Sequence, residues 1–226
     1  MIELTPDLIL KAYACGVFPM AERHDAAEVY WIDPDFRGVL PFENFHVPRR
    51  LARTVRAGIY DIRVNGDFSG TIKGCARRTE KRRDTWLNAQ LIRVFTELNA
   101  RGYAHSVEAW RAGRLVGGLY GVALGAVFFG ESMFSTEPDA SKVALVALVE
   151  RLTRGGYKLL DTQFVTAHLR RFGATEIPRS TYLARLGEAL MLRASFYSAG
   201  EPVAGAAAAS GAGAAISSAQ STTQTS

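Results

Sequence analysis

Glu131, Asp161 and Gln163 are the residues of this chain whose type and spacing best suit chemistry. Val127, Phe128 and Phe129 form an apolar run long enough for a strand buried on both faces, and Glu131 stands at its carboxyl end. A carboxylate in that position is costly unless it is solvated, paired or given a cation to face. One helix later, Lys158-Leu159-Leu160-Asp161 reads as the next strand, and Asp161 and Gln163, two apart, share one side of it if it stays extended. A carboxamide is not appreciably basic in water, so Gln163 cannot act as an ordinary base. Its oxygen can accept a hydrogen bond, and Asp161 could orient and polarise it. Glu131 suits charge pairing with a cation, with a structural salt bridge as the alternative.

These groups need a strand, a helix and a second strand to hold them. Asp139 is expected to cap a helix whose apolar positions are Val143, Ala144, Ala147, Leu148 and Leu152, with Gly155-Gly156 at its end. Polar groups at strand ends around such a unit are where α/β sheets keep ligands. Upstream, Thr5-Pro6-Asp7 opens a helix that Gly16 closes, and short strands are expected around Val29 to Ile32 and Gly38 to Phe42. From there the pattern predicts a strand (Tyr60 to Val64), helices (Asp67 to Arg77, Trp86 to Arg101) and a meander over Ala104 to Trp110, Leu115 to Val122 and Ala126 to Ser132. Helices around Val165 to Phe172 and from Ser180 to Met191 follow the strand that ends at Asp161.

The division expected is a small N-terminal subdomain over 1–44, a main domain over 45–196 and a disordered tail over 197–226, made of Ala, Gly, Ser, Thr and Gln. The fold class is α+β, and the element order is that of a GNAT-like acyltransferase, an analogy that by itself assigns no function.

At 226 residues and 48% hydrophobic, the chain can bury one sizeable core. No window approaches the ~18 apolar residues of a membrane span, no signal peptide opens the chain, and Cys15 and Cys75 are far apart, so a reducing cytoplasm is expected. Net charge is +5, unevenly distributed: His46 to Arg83 holds 11 Lys or Arg against three acids, leaving the rest of the chain acidic. Of the 27 basic residues 22 are arginine, whose planar fork suits phosphate, although a GC-rich genome explains much of that excess. Arg49, Arg50, Arg53 and Arg56 recur at helical spacing, and Lys73, Arg77, Arg78, Lys81, Arg82 and Arg83 follow. Together they form a candidate stripe for tracking phosphates, with a solvated helix face as the ordinary alternative.

The chain also carries an ordered series of motifs: Gly16-Val17-Phe18-Pro19, Trp31-Ile32-Asp33-Pro34-Asp35-Phe36-Arg37, Gly74-Cys75-Ala76, Thr85-Trp86-Leu87, His105-Ser106-Val107-Glu108, Gly117-Gly118-Leu119-Tyr120-Gly121, Phe129-Gly130-Glu131-Ser132-Met133-Phe134-Ser135, Ala140-Ser141-Lys142 and Leu160-Asp161-Thr162-Gln163, followed by Leu169 to Pro178. In this order and spacing, from about Tyr13 to about Leu186, it resembles the leucyl/phenylalanyl-tRNA-protein transferases. The resemblance implies an enzyme that moves Leu, Phe or Met from aminoacyl-tRNA to a protein beginning with Arg or Lys, marking it for degradation. It implies Gln163 and Asp161 as the catalytic pair with Glu131 in the same site, and Trp86 and Phe128 as receivers of the amino acid and terminal adenosine. Met20 stands where tryptophan occurs in the family, so thioether contact would replace stacking there. The chain begins close to the first motif, and an N-terminal extension is expected to be absent.

Exchanging an ester for an amide is downhill and needs no nucleotide triphosphate, and no cofactor or metal is expected. An α-amine has a pKa of roughly 7.7 to 8.0, so no strong base is demanded. Positioning can supply about 7 to 11 kcal/mol of the barrier reduction. Leu119, Phe128, Met133 and Phe134 are candidates for an apolar slot, although alternation along strands means they cannot all face it. Fit of this kind discriminates by only about 1 to 3 kcal/mol per methylene. An acetyl-CoA-dependent acetyltransferase fits poorly, because Thr136-Glu137-Pro138-Asp139 lacks the glycines of a pyrophosphate turn. A non-catalytic RNA-binding protein leaves the carboxylates unexplained. A hydrolase using Cys75 and His105 has no third member, and the four histidines show no metal-ligand spacing with the cysteines. The chain is expected to act as a monomer. Tyr120, Trp110 and Tyr182 stay open between core and RNA contact.

Overall fold

Two strands of the meander are joined by the shortest hairpin link available, Ala112-Gly113, with φ of 48° and 72°. Positive φ at both central residues gives the turn a twist that matches the strands it joins. Around this hairpin the computed structural model, which describes residues 4–80 and 83–197, builds an α+β molecule. The chain runs α1 (Pro6–Ala14), β1 (Phe18–Met20), β2 (Tyr30–Ile32), β3 (Phe36–Val39), α2 (Arg49–Arg56), β4 (Asp61–Val64), α3 (Phe68–Ala76), α4 (Ala89–Ala100) and β5 (Ala104–Arg111). It continues through β6 (Arg114–Leu124), β7 (Val127–Ser135), α5 (Ala140–Arg154), β8 (Leu159–Gln163), α6 (Ala167–Arg170), β9 (Thr175–Pro178) and α7 (Arg179–Leu190).

β1 and β2 make a separate ribbon, and the other strands form one sheet in the order β4-β5-β6-β7-β8-β3-β9. Every neighbouring pair is antiparallel except β7 and β8. That parallel pair is joined by α5 and lasts only from Val127 opposite Leu159 to Phe129 opposite Asp161. Beyond it β7 carries on through Glu131 while β8 ends at Gln163, and no further pairing joins them. A gap in the sheet therefore opens at the residues that could do chemistry.

Local signals explain most of the elements. Thr5 Oγ1 accepts from Leu8 N–H at 3.3 Å, Asp67 Oδ1 from Gly70 N–H at 2.7 Å and Asn88 Oδ1 from Leu91 N–H at 2.9 Å, so α1, α3 and α4 start at side-chain caps. The cap at Asn88 starts α4 after Trp86 rather than at it, which leaves Trp86 in the preceding loop. Asp139 does precede α5, but with a left-handed φ of 65° and no capping bond; its carboxylate binds Lys142 Nζ at 2.6 Å instead. α6 is much shorter than the expected helix around Val165 to Phe172. β9, with its half-polar sequence ending at Pro178, and β1 carry no alternation that would announce them, and edge strands tolerate such residues.

Consecutive residues on β7 serve different cores. Phe129 faces Tyr13, 4.6 Å away, within the layer that also holds Ile9, Ile72, Phe95 and Tyr182. Phe128 faces the α5 layer, beside Leu119, Leu148 and Leu160. The segment 1–44 supplies the β1-β2 ribbon, gives β3 to the main sheet and shares the α1 layer through Ile9, Tyr13 and Phe18. Of the expected tail 197–226, all but Tyr197 lies outside the described residues.

β3 is locked to β8 by charge as well as by backbone pairing. Arg37 is 1% exposed and Asp161 0%, and the guanidinium grips the carboxylate through Nε to Oδ1 at 3.0 Å and Nη2 to Oδ2 at 2.7 Å. Arg37 Nη1 donates to the Gly16 carbonyl at 2.8 Å, and the rings of Phe18 and Tyr182 lie 4.4 and 4.6 Å from the guanidinium carbon. Replacing Arg37 by Ala leaves Asp161 buried without its counter-ion, and should cost about 3 to 5 kcal/mol in urea unfolding. A loss under about 1 kcal/mol, the scale of an exposed pair, would show that the guanidinium is not what compensates Asp161.

Candidate active site

A cavity of about 570 Å³ fills the gap between β7 and β8. Leu119, Met133, Leu145, Leu148 and Leu160 line it on the α5 side, and Phe18, Met20, Trp86 and Tyr120 on the other. Glu131, Ser132, Thr162 and Gln163 bring polar atoms to the same wall. The cavity thus passes through the plane of the sheet, with an apolar end under α5, a polar middle and an aromatic end near β1.

Glu131 is held by a residue 118 positions away: Tyr13 O–H donates to Oε1 at 2.6 Å. Gln163 Nε2 reaches the same oxygen at 3.5 Å, the limit of a hydrogen bond. Burial pushes the Glu131 carboxyl up to about 8, and the nearby Asp161 charge adds to this, while the Tyr13 hydrogen bond and Arg37 oppose it. Burial thus favours the neutral form of Glu131 near neutrality. Tyr13 is raised well above the ordinary phenol value by burial and by Glu131, and remains a donor.

Gln163 adopts φ of 55°, the left-handed region that a side chain with Cβ seldom occupies. The cause lies in Asp161, whose Oδ1 accepts the Gln163 backbone N–H at 2.7 Å. Asp161 also accepts Tyr182 O–H at 2.7 Å in addition to the Arg37 fork. Its carboxylate is consumed by these contacts and does not line the cavity. It meets Gln163 through the backbone, and the Gln163 carboxamide is turned instead toward Glu131.

Leu119 and Met133, opposite one another on β6 and β7, both line the cavity, as do Met20 and Trp86. Phe128 does not. It is 0% exposed and stacks on Phe196 at 5.5 Å, because its position on β7 points it under α5, so its expected contact with an occupant is corrected to a structural one. Phe134, opposite Gly118, packs toward Gly74 of α3 and is likewise absent from the wall.

Arg49, Arg50, Arg53 and Arg56 are exposed along α2, and none has a side-chain partner among the described residues. Arg77, Arg78 and Arg83 are exposed in the segment after α3 and line a shallow hollow with Ser135; Lys81 and Arg82 lie outside the described residues. His105 stacks on Phe196 at 4.1 Å, and burial lowers it to about 4, which fits a structural ring. Among the described residues no cluster of His, Cys, Asp and Glu could hold a metal ion.

Tyr13, Arg37 and Tyr182 support the site, yet residue chemistry and spacing gave no reason to connect them with it. Tyr13 and Arg37 lie in or beside recurring motifs, which was the only signal. Trp110 Nε1 donates to Glu108 at 2.8 Å and belongs to the structure. Tyr120 is different: its hydroxyl and that of Thr162 are buried, lie on residues of the cavity wall and have no partner among the described residues. An occupant offering polar atoms would satisfy them.

A family model described as leucyl/phenylalanyl-tRNA protein transferase matches residues 39–187, and that of its N-terminal domain matches residues 2–35. A relative from Paramagnetospirillum magneticum is 57% identical over 196 residues, covering 87% of this chain and 94% of its own. Another from Rhodopseudomonas palustris is 53% identical over 208 residues, covering 91% and 93%. Both are named leucyl/phenylalanyl-tRNA–protein transferase. Among solved structures, the C-terminal domain of a putative lysylphosphatidylglycerol synthetase from Agrobacterium fabrum aligns over 82% of this chain and 56% of its own at 12% identity, with a TM-score of 0.37, too low to support an argument. Matched by both family models over nearly all of the described residues, the chain belongs to the leucyl/phenylalanyl-tRNA protein transferase family.

Proposed function

We propose that this protein transfers Leu, Phe or Met from aminoacyl-tRNA to the α-amine of a protein beginning with Arg or Lys, as an aminoacyltransferase that marks the acceptor for proteolysis. The observation that carries the reading is a single cavity with an apolar end and an aromatic end, joined at a polar middle where Glu131 and Gln163 meet. An aminoacyl ester has the same layout: apolar side chain, reactive carbonyl, adenosine. Leu119, Met133, Leu145 and Leu148 would receive the side chain, while Trp86 and Met20 would flank the adenosine.

The amine attacks the ester carbonyl, the amide bond forms and the ribose oxygen leaves with a proton. Gln163 accepts a hydrogen bond from the amine and aims it, while Asp161, clamped by Arg37 and Tyr182, acts as a positioning residue that holds the Gln163 backbone in its left-handed turn. Glu131 receives the cation of the acceptor. The short parallel pair joined by α5 and parting at its end supports reading the domain as GNAT-like. Charged tRNA is a cytoplasmic substrate, and one chain encloses the cavity, so we infer a cytoplasmic monomer with no cofactor. Exposed arginines of α2 and of the 77–83 segment would meet tRNA phosphates.

Gln163→Ala should lower turnover by about 10²-fold or more, the scale of lost aim, with aminoacyl-tRNA affinity nearly unchanged. Equal losses in both would make it only a binding residue. Transfer of labelled Leu to an Arg-starting peptide, beside acetyl-CoA binding, tests the whole reading; acetyl-CoA binding without transfer defeats it.

Glu131, whose carboxyl burial pushes up to about 8, should ionise when a cation arrives, because an opposite charge lowers a carboxyl pKa. Binding of an Arg-starting peptide at pH 7 should therefore release a proton, and Glu131→Gln should abolish the release. Calorimetry in buffers of different ionisation enthalpy reads this directly; no buffer dependence in the native protein would contradict the role given to Glu131.

A further inference from the structure

Tyr120 carries a hydroxyl for which the fold supplies no hydrogen-bond partner among the described residues. The residue is 0% exposed, and its ring is held edge-on by Phe68 at 5.7 Å and by Phe95 at 5.5 Å. A phenylalanine would pack there equally well and would avoid burying a polar group without a hydrogen bond, which costs folding free energy. The hydroxyl is therefore expected to meet an occupant of the cavity, whose wall Tyr120 forms in part.

The sheet fixes where along that wall the hydroxyl stands. Leu119 and Tyr120 are neighbours on β6 and face opposite layers: Leu119 belongs with the residues under α5, Tyr120 with those around α1. Phe95, in contact with Tyr120, meets Trp86 in turn, with ring centroids 6.4 Å apart, so Tyr120 stands on the aromatic half of the cavity. On β7, Ser132 lies opposite Tyr120 and Gly130 opposite Gly121, which leaves Glu131 as the extra residue of a β-bulge beside Tyr120. The charge of Glu131 acts on the phenol, yet no hydrogen bond joins the two, and Tyr13 occupies Glu131 Oε1. Tyr120 thus borders the boundary between the polar middle and the aromatic end. Thr162, the other wall residue whose hydroxyl has no partner among the described residues, alternates with Asp161 and shares the α5 face with Leu160, away from this boundary.

In an aminoacyl ester seated as proposed above, one atom falls at that boundary: the ribose oxygen that joins the carbonyl to the adenosine. We propose that Tyr120 is a further catalytic residue of the transfer, its hydroxyl donating a hydrogen bond to this oxygen as the ester breaks. The inference rests on the transfer reaction proposed above. The amine nitrogen bonds to the carbonyl carbon, the bond from that carbon to the ribose oxygen breaks with its electron pair moving to the oxygen, and the surplus proton of the amine ends there. Tyr120 keeps its own proton: burial first, and then the Glu131 charge, hold its pKa well above the ordinary phenol value, so it donates a hydrogen bond and does not ionise. An ester oxygen is a poor acceptor and a departing alkoxide a strong one, so the bond strengthens along the reaction. A donor held in place by packed rings needs no reorganisation at that moment.

The test is Tyr120→Phe, which removes one oxygen and leaves the ring. Its urea midpoint should equal or exceed that of the native protein. Transfer of Leu from tRNA to an Arg-starting peptide should slow about 10²-fold or more in kcat, the scale of losing one such donor, while affinity for the 3′-amide analogue of leucyl-adenosine should change by less than about threefold. A native kcat in the variant overturns the proposal. So does a parallel loss of analogue affinity, which would make the hydroxyl a binding group only, and so does a lowered urea midpoint, which would make it structural. Native protein that transfers nothing defeats the transfer reaction itself, whereas equal transfer by native protein and variant defeats only the role of Tyr120.

Discussion

The ion pair between Arg37 and Asp161 is the constraint on which the remaining architecture of the site depends. Two charges without access to water are costly to bury, and their attraction offsets that cost only with close geometry and fully used hydrogen bonds. Here the fork of Arg37 meets both carboxylate oxygens, its remaining nitrogen takes the Gly16 carbonyl, and Tyr182 and the Gln163 backbone complete the acceptor sites of Asp161. The pair therefore ties together the end of α1, strands β3 and β8 and helix α7, and it sets the backbone of the residue that faces the cavity.

The cavity itself follows from an interrupted sheet. β7 and β8 pair for three residues and then part, and the unpaired ends expose Glu131 on one side and Gln163 on the other. Backbone groups freed in this way need other partners, and the left-handed turn at Gln163 finds one in Asp161. Because the opening joins the two layers, a ligand can place an apolar group under α5 and an aromatic one beside Trp86 while its reactive centre stays in the middle. Aiming by rigid strands suits a reaction that is downhill and needs an amine brought to an ester more than it needs proton abstraction.

Charge around the cavity is graded. Glu131 sits in apolar surroundings that favour its neutral form, whereas a second hollow, which shares His168 with the cavity wall and is lined by Arg50, Lys142 and Arg171, is rich in cations. Unpaired arginines extend from it along α2.

Most element types, the nearness of Glu131 and Gln163 and membership in the family were legible in the sequence, because caps, alternation and ordered motifs are local properties of the chain. Glu131 next to an apolar run and Gln163 at a strand end announced themselves by being out of keeping with their neighbours. Other features depended on which strands became neighbours. Tyr13 meets Glu131 across 118 residues, and Arg37 meets Asp161 across 124, distances over which periodicity carries no information. The side to which Phe128 turned depended on the layer each face of β7 would meet, since alternation assigns opposite faces to Phe128 and Phe129 without saying which one borders a cavity. Asp161 could be read as a partner of the Gln163 carboxamide until the fold brought Arg37 and Tyr182 to it. Its role was decided by sheet order, because a buried carboxylate is bound by whatever donors the neighbouring strands and helices supply.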